Sequence, residues 1–367
     1  MEKNNVAAKT LGLKKREDYW DIVRGLLILG VFVGHDIGGW NFITNDYMVP
    51  PYGFLYNKWV ITRCVINCVV PIFIFISGYM VNQKYFSRIA PFYINRTIRF
   101  LIPFAVWSGI YSLLEYYVYG NKVTLMSVLL GTNGIQLYYV LLMMQLVLLT
   151  PIFFKAKNKK AVLIASFVIN VVYNGINEIY QYTNGVKFQN EKLIAACFVF
   201  FYTLGLYYRN VDSTILKKIT LGRSIYLYII GLEIYCISAY MLGNCTGNVL
   251  LSVGSVTFAA FINMLFSVIL VIKVRERLKD HDLGKYAVLR ALRWFGVHSM
   301  DFFLVHWVFE NYIKVWFIDH VDPKYMFFSN TAIIAATVIL CCIYAWIADR
   351  VRGFCKARFG KKQIAKS

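Results

Sequence analysis

Apolar runs of about 20 residues, the length that crosses about 30 Å of hydrocarbon as a helix, recur along the whole chain. Backbone N–H and C=O groups in lipid need partners within their own segment, so these runs are predicted to be helices. The pattern therefore predicts an all-α integral membrane protein with about ten transmembrane helices. The predicted spans are 19–39, 60–82, 98–119, 136–154, 161–180, 192–208, 224–243, 250–272, 294–317 and 328–348.

Lysine and arginine are distributed unevenly over the loops between these spans. With the N-terminus in the cytoplasm, 31 of the 39 Lys and Arg fall in cytoplasmic loops and tails. The positive-inside rule then places both termini inside. The prediction is one multi-pass domain of the cell (cytoplasmic) membrane at 19–348, flanked by basic cytoplasmic tails at 1–18 and 349–367. The few cations of the outer loops are Lys58, Lys122, Lys187, Lys192, Lys314 and Lys324.

The overall composition excludes an ordinary soluble enzyme. The chain is 59% hydrophobic and 16% charged, with a mean hydropathy of +0.54. The Lys and Arg residues that give the net charge of +20 are expected to orient the helices, and they form no basic surface interleaved with aromatic residues. No nucleic-acid partner is therefore expected. The eight cysteines show no disulfide framework and no CxxC metal site, and no metal is expected.

Helix one carries two ionisable residues, Arg24 and His35, on one face. They are eleven positions apart, about 20° from three full turns and about 16 Å along the axis. Taken singly, Arg24 fits a residue that reaches the headgroups, and His35 fits a helix-packing hydrogen bond. Their shared face favours function, because an imidazole accepts protons near neutral pH and a guanidinium pairs with phosphate.

The ninth predicted helix supplies His306 and Glu310 as further candidates. Counted from the start of that helix, His306 lies about 18 Å into the membrane, and Glu310 lies at the depth of His35. An ionisable side chain at the bilayer centre costs about 2.5 to 3.5 kcal/mol on insertion scales, so each is a functional candidate.

A second group of candidates lies at the level of Arg24. Helix two ends in PIFIFISGYM, which places Ser77, Gly78 and Tyr79 there, although small residues also suit simple helix packing. Arg96 and Arg99 follow at spacing i, i+3. Each is a common type of interfacial anchor, but with Arg24 they make a cationic cluster suited to several phosphates.

Polar side chains in the outward halves of other helices predict a second, polar chamber that opens outside. Hydroxyl, amide and carboxylate groups around such a cavity suit a sugar. The residues chosen for it are Arg63, Glu115, Tyr138, Tyr139 and Asn174.

In this order, these segments resemble the acyltransferase 3 family of integral membrane acyltransferases over most of the chain. Arg24 and His35 look like its R-x10-H pair, PIFIFISGY like its F-F-x-x-S-G-F/Y segment, and Arg96 with Arg99 like its R-x-x-R element. LYYVLLMMQL, YTLGLYYR and HSMDFFLVH are similar to later family segments. Helix four begins Gln136, Leu137, Tyr138, where the family often has a His-Leu-Trp-type stretch.

The resemblance implies transfer of an acyl group, usually acetyl, from cytoplasmic acetyl-CoA to a hydroxyl of a glycan or lipid-linked sugar across the bilayer. His35 would be the general base or would transiently carry the acyl group, and both mechanisms stay open. His306, Glu310 or Asp36 would set the tautomer of His35. The CoA-binding residues would be Arg24, Ser77, Gly78, Tyr79, Arg96 and Arg99.

Two other functions compete with acyl transfer. Some proteins similar to this family are assigned to polysaccharide export, which needs a continuous path and consumes no thioester. A membrane sensor or anchor is the third alternative, and it would suit a chain joined to a soluble domain. The clustered arginines and the intramembrane His35 favour the enzyme, because Gly/Pro-interrupted helix pairs of the transporter type are not apparent.

Overall fold

The computed structural model describes residues 17–43, 54–81, 89–118, 120–188, 191–208, 214–246, 254–322 and 325–364. Over these ranges the chain is helical and contains no strand, which confirms the predicted all-α class. The side chain of Asp36 lies outside the described residues. The helices are α1 (Asp18–Ile43), α2 (Phe54–Ile66), α3 (Val69–Tyr79), α4 (Ile89–Tyr117), α5 (Leu125–Leu129), α6 (Tyr138–Lys155), α7 (Lys159–Asn184), α8 (Val199–Tyr207), α9 (Thr214–Lys218), α10 (Leu221–Thr246), α11 (Phe258–Leu278), α12 (Ala287–Val297), α13 (Ser299–His320) and α14 (Met326–Ile364).

Seven segments within the described ranges are long and apolar enough to cross a membrane. The protein is therefore a multi-pass membrane protein, whereas ten spans and their orientation stay predictions. The predicted span 192–208 contains α8, a helix of nine residues, which at about 14 Å is too short to cross the bilayer alone. The seven segments are Trp59–Tyr79, Ala90–Tyr117, Tyr138–Lys155, Lys159–Asn184, Leu221–Thr246, Phe258–Leu278 and Phe328–Phe354.

Helix α7 shows the reversed polarity that a lipid environment produces. Its buried residues are all polar and follow each other at helical spacing, whereas most of its apolar side chains are exposed. In water this arrangement would be unfavourable, but in lipid the apolar face contacts the acyl chains and the polar face joins neighbouring helices. The buried residues are Ser166, Asn170, Asn174, Asn177 and Gln181, and exposed ones include Ile164, Val168, Val172, Ile176 and Ile179.

The predicted single helix at 294–317 is two helices in the structure, α12 and α13, separated at His298. Helix α12 packs with its backbone directly against α1. A Cβ added to Gly296 would lie 1.6 Å from the Asp21 carbonyl oxygen, and one added to Gly25 would lie 1.8 Å from the Leu292 carbonyl oxygen. Glycine at both positions permits this approach, because neither has a side chain that would meet the facing backbone.

A second glycine contact joins α3 to α8. A Cβ on Gly78 would lie 2.2 Å from the Tyr202 carbonyl oxygen, and one on Gly205 would lie 2.1 Å from the Phe75 carbonyl oxygen. Gly78 is buried in this contact. The structure thus gives Gly78, a predicted donor-binding residue, a packing reason for its lack of a side chain.

Candidate active site

Helices α1 and α13 bring two histidines together. The ring centroids of His35 and His306 are 5.3 Å apart, and the centroid of the Trp307 ring is also 5.3 Å from that of His35. His306 is fully buried, and His35 is partly buried. Two of the three predicted catalytic side chains therefore meet at one point.

The hydrogen bonds of His306 define its tautomer. Its Nδ1 lies 3.1 Å from the Phe302 carbonyl oxygen and 2.9 Å from that of Phe303. Carbonyl oxygens only accept, so Nδ1 carries the hydrogen and Nε2 keeps its lone pair. Nε2 is buried and has no hydrogen-bond partner among the described residues. The site thus contains an imidazole nitrogen that is able to accept a proton or a hydrogen bond.

Glu310 is linked to the backbone of His35 through Lys314. The Lys314 ammonium lies 3.5 Å from a Glu310 carboxylate oxygen and donates to the His35 carbonyl oxygen at 3.3 Å. Both side chains are almost fully buried, at 1% exposure for Glu310 and 5% for Lys314. The sequence analysis counts Lys314 among the outer-loop cations, although it falls within the predicted span 294–317. In the structure it lies on α13, which continues to His320. Its spacing i, i+4 from Glu310 is the signal that could have identified it.

Arg63 approaches the same end of α1 from α2. Its Nη1 donates to the Gly34 carbonyl oxygen at 2.5 Å, and its Nε is buried with no hydrogen-bond partner in the described part of the chain. The guanidinium is therefore close enough to His35 for its charge to act there. We call the region of His35, His306, Arg63 and Lys314 the histidine centre.

At the other end of α1, Arg24 belongs to a separate polar group. It lies 3.4 Å from the carboxylate of Asp21 and close enough to Tyr139 for its charge to act there. Ser77 lies close to the Tyr139 hydroxyl, and its own hydroxyl donates to the Phe73 carbonyl oxygen at 2.8 Å. The sequence analysis places Tyr139 in the acceptor chamber, but consecutive helical residues point about 100° apart, so Tyr138 and Tyr139 face different regions.

The predicted arginine pair is divided by the structure. Arg96 is half-buried, stacks over the Phe92 ring at 5.9 Å and interacts electrostatically with Tyr202, which is itself close to Tyr139. Arg99 is exposed, and no contact in the described ranges joins it to this group. We call Arg24, Ser77, Arg96, Tyr139 and Tyr202 the arginine cluster.

Tyr79 takes part in a neighbouring network that closes this end of the bundle. Its hydroxyl lies 3.1 Å from the Glu17 carboxylate, which pairs with Arg275 at 2.8 Å. The Arg275 guanidinium lies over the rings of Trp20 and Tyr79 at 5.7 and 5.4 Å. These contacts join α1, α3 and α11 beside the arginine cluster.

The remaining predicted acceptor residues separate. Glu115 accepts a hydrogen bond from Asn121 at 2.6 Å at the end of α4, and no contact joins it to His35 in the described residues. Asn174 donates to the Asn170 carbonyl oxygen at 2.7 Å within the polar stripe of α7. Tyr138 lies next to the histidine centre, where it interacts electrostatically with Arg63.

Tyr138 also lines a cleft of about 370 Å³, which is within the size range of small-molecule sites. One wall is the turn before α6, and the other is the segment after α7. Lys192 lies over the Tyr138 ring at 5.5 Å, and its charge acts on His35. The cleft is lined by Leu130, Gly131, Thr132, Gly134, Ile135, Tyr138, Lys187, Phe188, Glu191, Lys192 and Leu193.

The ionisable groups of this cleft influence one another. Burial, reinforced by the charge of Lys187, lowers the pKa of Lys192 to about 8. Burial also lowers the pKa of Lys187 and raises that of Glu191. Glu191 accepts a hydrogen bond from Gln181 at 3.2 Å. The sequence analysis counts both lysines as outer-loop residues and gives them no role.

Comparison with known families supports a function for this arrangement. The family described as Acyltransferase domain matches residues 17–347, from the start of α1 into α14. No curated protein and no solved structure matches the chain. The family match and the seven apolar segments together indicate a membrane acyltransferase. The chain belongs to the acyltransferase 3 family.

Proposed function

We propose that the protein transfers an acyl group, in the first instance acetyl, from cytoplasmic acyl-CoA to a hydroxyl of a glycan or glycoconjugate on the other side of the membrane. The observation that carries this proposal is the histidine pair at one end of α1, with the arginine cluster at the other end. The excess of Lys and Arg in the predicted inner loops supports a cytoplasmic location for the arginine cluster.

The donor is proposed to bind with its phosphates at the arginine cluster. Arg24 and Arg96 supply guanidinium groups, which pair well with phosphate oxygens. The pantetheine arm then extends along α1 toward His35, over the about 16 Å that separate residues eleven positions apart. With the donor bound in this way, its thioester would lie at the histidine centre and its adenine end would stay in the cytoplasm.

The proposed chemistry uses His35 as general base. His306 Nε2 accepts a hydrogen bond from one nitrogen of His35, directly or through one water, and so leaves the other nitrogen with its lone pair. His35 takes the proton of the acceptor hydroxyl while the hydroxyl oxygen attacks the thioester carbonyl. The C–S bond then breaks, and the departing thiolate receives that proton from the imidazolium. The alternative with an acyl-His35 intermediate uses the same atoms in two steps.

This function is tested by CoA release from acetyl-CoA by purified protein in nanodiscs, with and without a crude cell-surface glycan fraction. We expect glycan-stimulated release together with acetylated glycan. The absence of donor binding and of CoA release under all conditions would contradict the proposal and favour the export function.

The arginine cluster gives a second expected result in the same assay. Arg96→Gln removes a charge-assisted contact to phosphate and is expected to raise the KM for acetyl-CoA about tenfold. Arg99→Gln is the matched control, because Arg99 is exposed and outside the cluster. A change of less than about twofold is expected for it. If the two substitutions changed the KM for acetyl-CoA equally, the donor phosphates would not bind at the arginine cluster.

His306→Asn tests the proposed role of the free imidazole nitrogen. The shorter amide keeps a donor near the position of Nδ1 for the carbonyl oxygens of Phe302 and Phe303, but it has no group at the position of Nε2. We expect kcat to fall about a hundredfold with little change in donor KM. An unchanged kcat in a folded variant would remove His306 from the reaction.

A further inference from the structure

The cleft beside the histidine centre contains more positive than negative charge. Lys187 and Lys192 line it, and Arg63 is close enough for its charge to act on both. Adding Lys314, four cations surround this region against two carboxylates, Glu191 and Glu310. Glu310 pairs with Lys314 and Glu191 receives the Gln181 amide, so these carboxylates are already engaged. About two positive charges remain in excess.

This excess is unexpected at its location in the chain. The predicted outer loops hold only six of the 39 Lys and Arg, so cations are rare on this side and the positive-inside rule does not account for them. Two of the six line one cleft and a third, Lys314, lies beside His35. Close packing of like charges is unfavourable unless a ligand of opposite charge relieves it. The lowered pKa values of Lys187 and Lys192 reflect this crowding together with burial.

The cleft is also connected to the reacting end of α1. Tyr138 lines the cleft, and Lys192 lies over its ring. Tyr138 also interacts electrostatically with Arg63, which donates to the carbonyl oxygen of Gly34. A sugar in the cleft with its acidic group at Lys187 and Lys192 can therefore direct a hydroxyl toward His35. The aromatic ring of Tyr138 offers the sugar a flat apolar face.

We propose that the acceptor is an anionic sugar, carrying a carboxylate or phosphate group, which binds in this cleft through Lys187 and Lys192. This inference rests on the proposed function for its connection with acyl transfer, but the binding itself can be measured without turnover. Carboxylate and phosphate share the recognition chemistry, and the probes below distinguish them.

The test is direct calorimetric titration of the protein in phosphatidylcholine nanodiscs with three probes: D-galacturonic acid, D-galactose 6-phosphate and D-galactose. We expect at least one acidic sugar to bind about tenfold more tightly than galactose, and increasing salt to reduce this difference. The preferred acid identifies the group. Equal affinity for all three sugars, or no binding of either acidic sugar, would overturn the proposal.

Single substitutions then locate the site. Lys192→Gln is expected to lower the affinity for the preferred acidic sugar about tenfold and the affinity for galactose less than about twofold. The control is Lys122→Gln, because Lys122 is an exposed lysine of another predicted outer loop and does not line the cleft. Its affinities should equal those of the wild type. Selective acid binding that survives Lys192→Gln combined with Lys187→Gln would place the anion elsewhere and refute the assignment.

Affinity for the acidic sugar should also depend on pH. Lys192 is charged below its pKa of about 8, so binding is expected to weaken as pH rises through this value. The titratable groups that face Lys192 are Lys187, Glu191, Arg63, Cys197, Tyr138 and His35. Lys192→Arg keeps its charge throughout and should bind at pH 9 as it does at pH 7. A wild-type affinity that is constant from pH 7 to 9 would contradict the assignment to Lys192.

This inference and the proposed function fail in different ways. Selective binding of an acidic sugar without CoA release in any condition would support the anionic site and contradict the proposed acyl transfer. Acyl transfer to glycan with no preference for acidic sugars would support the proposed function and contradict the anionic site.

Discussion

In the His35→Ala variant, acceptor-dependent release of CoA is expected to fall by about a thousandfold, within the range found for loss of a general acid–base group. His35 is the group of the histidine centre that would contact the acceptor hydroxyl. His306 is fully buried and held against the carbonyl oxygens of Phe302 and Phe303, so its Nε2 is expected to support His35 and not to reach that hydroxyl. The measurement is steady-state kcat/KM in nanodiscs, with donor binding followed separately. Donor affinity should stay within about twofold of wild type, because the phosphates bind at the other end of α1.

The matched control is His320→Ala. His320 is an exposed histidine at the end of α13, where it stacks on Trp316 and contacts the Trp316 carbonyl oxygen at 2.8 Å. Its removal changes the histidine count without touching the histidine centre, so full activity is expected. A His35→Ala variant as active as this control would exclude His35 from the chemistry. Loss of activity in both would indicate an effect on folding or insertion.

Gly296→Ala is expected to destabilise the protein by about 3 kcal/mol or more, at the upper end of the range for overpacked positions. The new methyl group would lie 1.6 Å from the Asp21 carbonyl oxygen. This obstacle is backbone, so relief requires α12 to move away from α1. We expect a lower yield of folded protein and a lower melting temperature in detergent.

Gly175→Ala is the control for this substitution. Gly175 lies within α7, and an added Cβ meets no heavy atom within 4 Å. Helix propensity predicts a gain of up to about 1 kcal/mol there. If Gly296→Ala were as stable as Gly175→Ala, the close contact of α1 with α12 would be refuted. A folded Gly296→Ala should still lose activity, because α12 leads through His298 directly into the helix that carries His306.

The site could be anticipated from the sequence where its residues lie on one helix. The spacing of Arg24 and His35 predicts their common face, and the structure places each in a polar group at its own end of α1. Depths counted along one predicted helix assign the level of His35 to Glu310. In the structure the predicted helix at 294–317 is interrupted at His298, and His306 is the residue whose ring contacts that of His35.

Counting Lys and Arg in each loop also failed to show which cations lie together in the fold. They assign Lys187, Lys192 and Lys314 to outer loops as three isolated cations, because a tally considers only position along the chain. In the structure two line a cleft and the third is buried against Glu310 and the His35 carbonyl oxygen. Only the approach of residues 187, 188 and 191–193 to the turn before α6 brings Lys187 and Lys192 near Tyr138 and Arg63.

The sequence by itself determined the all-helical membrane class and the acyltransferase family, because hydropathy, helical period and motif order are properties of continuous segments. The tertiary structure decided which candidates share a site. It brings His35 next to His306 and Lys314, puts Tyr139 near Arg24, and shows Gly78 and Asn174 in contacts within and between helices. These outcomes depend on contacts between helices distant in sequence, whose crossing points are set by side-chain volume and close backbone approach, and no local period encodes them.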